Sequence, residues 1–130
     1  MELSYAPGAC NIGPDEIARR RRVALVGLIL TIAIAVALLA GGATGPVRLI
    51  VALPLTSAAI GWIQARRRFC MAYGLAGTFN LGAIGEMSRV SDRAALAADR
   101  RTALIIAAQG LAIGVAGALL FLLLPFTLAA

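Results

Sequence analysis

Charge interrupts this chain at only a few places, and the gaps between those places decide what it can fold into. Residues 23–47, 49–65, 69–85 and 102–130 carry no charged side chain. A helix that crosses the roughly 30 Å hydrocarbon core of a bilayer needs about 20 apolar residues at about 1.5 Å of rise each. The first and last stretches meet that length alone. The second meets it once Pro46, Val47 and the aliphatic stem of a snorkelling Arg48 are counted. The third is short and broken by Gly74, Gly77, Gly82 and Gly85. Irregular backbone is not tolerated facing lipid, so the spans must be helices. The expected fold is an all-α integral membrane protein with three transmembrane helices and a cytoplasmic interfacial or re-entrant segment between helices 2 and 3.

Local signals set the boundaries. Residues 1–22 form a cytoplasmic tail and the start of a juxtamembrane helix. That helix begins near Gly13-Pro14-Asp15-Glu16, because proline suits a first helical position and acids suit the positive end of the dipole. The first span is 23–43, followed by a tight turn at Gly41–Pro46. The second is 47–65, with Pro54 expected to kink it and Trp62 near the interface. Residues 66–101 form the cytoplasmic connection. Ser91-Asp92 reads as a helix cap, and the third span is 102–124, stopped by Pro125 before a short tail, 125–130. For residues 69–85 three readings stand open: an interfacial or re-entrant element, a loop packed on a partner, or a fourth, poor span.

Arginine placement argues for three spans. All 12 basic residues are Arg. With three spans, only Arg48 falls on the far side. The positive-inside rule then puts the N-terminus and residues 66–101 in the cytoplasm. A fourth span would place Arg89, Arg93, Arg100 and Arg101 outside. The runs Arg19, Arg20, Arg21, Arg22 and Arg66, Arg67, Arg68 read as collars that contact lipid headgroups, with anionic lipids as partners. A net charge of +6 also raises nucleic acid, but arginines that flank apolar spans leave no soluble basic face, so no nucleic-acid partner is expected. The apolar run after Arg22 is longer than a signal-peptide core, so no cleaved leader is expected. Abundant Ala, Gly and Arg without Lys points to a GC-rich bacterial genome, and hence to a multi-pass protein of the bacterial inner membrane.

Few side chains offer chemistry. There is no His, which removes a bis-His haem and His-ligated metals. No nucleophile–base set or phosphate loop is found, and no Asp or Glu lies within a span, where proton-coupled carriers keep theirs. Neither enzymatic activity nor a cofactor is expected. Cys10 and Cys70, the only cysteines, are weak candidates for a metal or a thiol pair, since two Cys cannot complete a tetrahedral site; a lipidated thiol and two idle thiols are the other readings. Glu16 and Glu86 are expected to pair with nearby Arg. The helix-packing or partner interface is expected at Ser57 and Gly61, four apart, and at Gly110, Gly114 and Gly117, where small residues let backbones approach. Gln109 could hydrogen-bond across such an interface. One faint echo links Asn11-Ile12-Gly13 through Arg19 to Asn80-Leu81-Gly82 through Arg89, read either as a repeated helix-starting device or as chance.

These features rank three functions. The first is a small non-catalytic accessory subunit of a larger membrane complex, respiratory or photosynthetic, docked through the Gly110/Gly114/Gly117 groove. The second is a homo-oligomeric channel, holin-like pore or transporter lined by Gln109, Thr31, Thr56 and Ser57. The third is thiol or metal handling at Cys10 and Cys70.

Overall fold

A computed structural model describes residues 4–128; the outermost residues of both expected tails, 1–3 and 129–130, lie outside the described residues. Three helices long and apolar enough to cross a membrane dominate it. The first, α1 (Pro14–Ala40), begins where the sequence predicts, with Pro14 at its first position and Asp15 and Glu16 in its first turn. It ends at Gly41 and Gly42, the latter at φ 72°, where Ala43 N–H donates to Leu38 O at 2.9 Å. A 3-10 segment (Gly45–Val51) leads into α2 (Ala52–Arg67). Pro54 therefore lies inside the span Gly45–Arg67 and in the first turn of α2, so its missing N–H falls beside the change from 3-10 to α. α2 ends on Arg68, in the left-handed region at φ 56°.

Residues 69–85 do not form a fourth long helix. They build a short helix α3 (Met71–Ala76) and strand β1 (Thr78–Phe79), which pairs antiparallel with β2 (Ser88–Arg89). α3 packs on α4 (Arg93–Leu122), so this segment closes one end of its own bundle. α4 starts as expected: the Asp92 carboxylate accepts Ala95 N–H at 2.9 Å.

α2 is the central helix, packed against both α1 and α4. Small residues let the backbones close. A Cβ at Gly27 would meet Ala58 N at 2.9 Å, and one at Gly61 would meet Ala24 N at 2.9 Å. On the other side, Gly110 faces Ile60, Gly114 faces the Thr56 hydroxyl and Gly117 faces Leu55. The start of α1, the end of α2 and the start of α4 lie together, so eleven of the arginines share one end.

Arg48 alone stands at the other end, and it does not snorkel. Its side chain turns inward until only 1% is exposed. Nε donates to Ala43 O at 2.9 Å, Nη1 to Phe121 O at 3.2 Å and Leu124 O at 2.8 Å, and Nη2 to Phe126 O at 2.9 Å. The guanidinium also lies 5.2 Å from the Phe121 ring centroid. The last carbonyls of a helix lack intrahelical partners and carry the negative end of its dipole. A cation with five donors satisfies several of them at once, which outweighs the few ångströms of stem needed to reach water.

Candidate functional site

Apart from Arg48, the buried polar side chains of the described residues converge at the arginine-rich end, where residues 4–13 cross the bundle. Asn11 is wholly buried and uses every hydrogen-bonding group it has. Its N–H donates to Arg68 O at 3.1 Å and its carbonyl accepts Asn80 N–H at 2.9 Å. Its side chain accepts Cys70 N–H at 2.6 Å and donates to Cys70 O at 3.1 Å. One asparagine thus ties the end of α2 to the start of α3 and to the residue that follows β1.

Asn80 is the counterpart of Asn11 in the sequence echo, and the two copies of that echo lie side by side. Ile12 and Asn80 form a parallel bridge, and Gly13 N–H donates to Asn80 O at 2.8 Å. The Asn80 side chain accepts Gly82 N–H at 2.9 Å and donates to Ala83 O at 2.8 Å. Gly13 is required by proximity, because any Cβ there would run into the Leu81 carbonyl.

Glu16 is fully buried. Oε1 accepts the Tyr73 hydroxyl at 3.1 Å. Oε2 lies 3.2 Å from Arg20 Nη2 as an ion pair, without the alignment of a hydrogen bond. The same Arg20 nitrogen donates to Cys70 Sγ at 2.9 Å. Burial, then the charge of Glu16 and their hydrogen bond, push the Tyr73 hydroxyl above the usual phenol range. Arg20 therefore departs from the collar. Its side chain is 13% exposed, against 51% for Arg19. Four consecutive arginines wrap a helix, so one of them must face the bundle. The expectation for the acids divides: Glu16 pairs with Arg19 and Arg20, whereas Glu86 accepts Ala83 N–H at 3.3 Å within its own turn.

Asp99 is the residue that the sequence reading missed. It is fully buried and holds the N-terminal segment from α4. Oδ2 accepts the Tyr5 hydroxyl at 2.8 Å and Oδ1 accepts Gly8 N–H at 2.7 Å. The Thr102 hydroxyl donates to Gly8 O at 2.7 Å, and the Tyr5 ring stacks on Phe79 at 4.5 Å. A signal existed: Asp99 lies on the stripe Ala95, Asp99, Ala103, Ile106, Gly110, Gly114 that α4 buries. An acid on the packed face of a helix needs internal donors.

Burial, then the hydrogen bond and charge of Asp99, push the Tyr5 hydroxyl well above the usual phenol range. The folded protein thus holds that proton more tightly than the unfolded chain does. The resulting stability is complete below about pH 10, the ordinary phenol value, and is lost as pH rises beyond it. Tyr5→Phe is expected to cost about 1–2 kcal/mol, since Tyr5 is only half-buried and one bond to a carboxylate is removed. It is also expected to flatten the loss of stability between pH 10 and 12 in chemical unfolding; an unchanged alkaline slope would refute the role of this hydroxyl.

The other expected residues are dispersed. Cys10 and Cys70 are both free and buried, and they serve different partners: the Cys10 thiol donates to Ile12 O at 3.6 Å, while Cys70 faces Arg20. No group of three His, Cys, Asp or Glu that could hold a metal occurs among the described residues. The Gly110/Gly114/Gly117 groove, expected to take either one of the chain's own helices or a partner, is filled by α2. Ser57 donates to Leu53 O at 3.2 Å in its own helix. Gln109 is exposed and accepts Arg67 Nη2 at 3.3 Å. Of the expected pore-lining hydroxyls, Thr31 donates to Gly27 O at 2.7 Å and Thr56 packs against Gly114. Comparison of the chain with family models, curated proteins and solved structures returns no match.

Proposed function

We propose that the protein is a non-catalytic accessory subunit of a larger membrane complex, inserted as three spans with its arginine-rich end in the bacterial cytoplasm. The observation that carries this reading is how the buried polar side chains are used. Asn11, Glu16, Arg48, Gln64, Asn80 and Asp99 are buried, and each is engaged by the chain's own backbone or side chains. Groups poised for turnover or transport face a substrate or a water-filled path; these hold loops and helix ends. Residues 66–101 then lie at the cytoplasmic interface as a plug, and the exposed collar arginines lie at headgroup depth.

With the glycine groove of α4 occupied, a partner helix finds its surface on α1. Across 27 residues that helix buries only Glu16, Ile17, Ala24 and Gly27 in its own bundle. Gentle solubilisation, native separation by size and mass spectrometry test the reading. Co-migration with larger subunits is expected. Migration alone or as a small homo-oligomer would overturn it and favour a pore.

A further inference from the structure

On one side of α1 a groove of about 360 Å³ runs between that helix and α2. Arg19 and Arg22 stand at its arginine-rich end, and Val26, Leu30, Pro54 and Ser57 line it below. None of the residues that line it is acidic. Arg19 lies 3.8 Å from Glu16, whereas Arg22 is exposed and forms no ion pair among the described residues. The groove continues along α1: Val23, Val26, Leu30, Ala33 and Ala37 follow one another in steps of three and four, and all five are exposed. That spacing keeps one stripe of a helix facing a neighbour that crosses it at a shallow angle.

We infer that this groove receives a membrane-spanning helix of another subunit, one that carries an Asp or Glu beside Arg22. The inference rests on the accessory role proposed above and names the chemistry of the partner. Charge sets one end. A cation without a counter-ion at the mouth of an apolar groove is matched by an anion there and by apolar surface below. Length decides between the two occupants that offer both, a helix and an anionic lipid. Val23 and Ala37 lie fourteen residues apart, about 21 Å along the axis, more than the roughly 15 Å hydrocarbon depth of one leaflet. A single acyl chain covers part of such a stripe, and a spanning helix covers all of it. The small side chains agree. Ala33, Ala37 and Ser57 leave room for a backbone to come close. The Ser57 hydroxyl gives its hydrogen to Leu53 O and keeps a lone pair that a helix can use and an acyl chain cannot. Among the described residues, a second copy of this chain offers no acid at that height. Glu16 and Asp99 are buried, and Asp15 lies seven residues, about 10 Å, beyond Arg22 on the same helix. Glu86 and Asp92 belong to the connection between α2 and α4.

The test places a photo-reactive amino acid at Val26 or at Leu30 of the whole protein in its native membrane. Irradiation followed by mass spectrometry is expected to join both positions to one apolar helix of another subunit, with an Asp or Glu at the end that reaches Arg22. The same probe at Leu28, in the opposite groove, or at Leu111, exposed on α4, should give little of that product. Arg22→Glu, at an exposed side chain without an ion pair in the fold, should cut the yield roughly tenfold, because it sets like charges together. Changing the partner's acid to Arg should then restore it. Cross-links to a second copy of this chain overturn the hetero-partner, and adducts with lipid alone overturn the helix as occupant. A partner helix without the acid, or a yield that Arg22→Glu leaves unchanged, overturns the charge match. Equal yields from Val26, Leu28 and Leu111 overturn the groove. All of these leave the accessory role standing where the protein still co-migrates with larger subunits; migration alone overturns both.

Discussion

Arg48→Met is expected to unfold at markedly lower denaturant than the parent protein, with a loss of about 3–5 kcal/mol. Four carbonyls, from Ala43, Phe121, Leu124 and Phe126, lose their donor together. A hydrogen bond to a charged group contributes roughly 1.5–3 kcal/mol. The sum overstates the loss, because the tail can shift and expose some carbonyls to water. Methionine fills much of the same space, so the change isolates the donors from the packing. Arg48→Lys should recover only part of the loss, since one ammonium nitrogen cannot reach carbonyls on both sides as a guanidinium fork does. Unfolding of the purified protein in mild detergent, followed by helical circular dichroism, is the measurement. A loss below about 1 kcal/mol would mean that these carbonyls find water equally well.

Gly114→Leu should cost about 3 kcal/mol or more, and the cost should appear in the isolated chain. A Cβ at this position would overlap the Thr56 hydroxyl and lie 2.8 Å from Thr56 Cβ and 3.0 Å from its Cα. The last of these is backbone, so a rotamer change cannot relieve it and α4 must move away from α2. Overpacking a well-fitted contact typically costs about 1–3 kcal/mol, and more where backbone must shift. Val115→Leu, one residue along on an exposed face, should stay within about 0.5 kcal/mol. If Gly114→Leu leaves unfolding unchanged yet frees the protein from a complex, the groove serves a partner after all and the α2 contact is wrong.

The sequence revealed this fold where the governing interaction is local. Pro14 and Asp92 mark helix starts through rules that operate within one turn, and the structure places both helices there. Three apolar helices followed from the spacing of charges. The reading failed where the partner is remote. Arg48 looks like an interfacial arginine until the end of α4, 73 to 78 residues later, brings it carbonyls. Asp99 sits in a polar run beside Arg100 and Arg101, and nothing nearby shows that its partners are Tyr5 and Gly8. The glycine pattern on α4 was legible as a packing face, but not which helix fills it, because α2 and any partner helix have the same apolar chemistry. The paired echo, Asn11 and Asn80, is the intermediate case: the motif was visible, and the hydrogen bonds between its copies were not.

The Asp99 clasp also sets an order of events during synthesis. Its two bonds join residues 91 and 94 positions apart. At translation rates of roughly 5–20 residues per second, residues 5–8 wait on the order of 5–20 s before Asp99 exists to hold them. Through that interval α1 and α2 can already pack, since Gly27, Ala58 and Gly61 are all in place. At the arginine-rich end the bonds of Asn11 to Arg68, Cys70 and Asn80 can form first, and the Asp99 clasp over residues 5–8 closes only when the start of α4 emerges. The segment made early is fastened late, and the opposite end later still, since Arg48 waits for carbonyls of Phe121, Leu124 and Phe126.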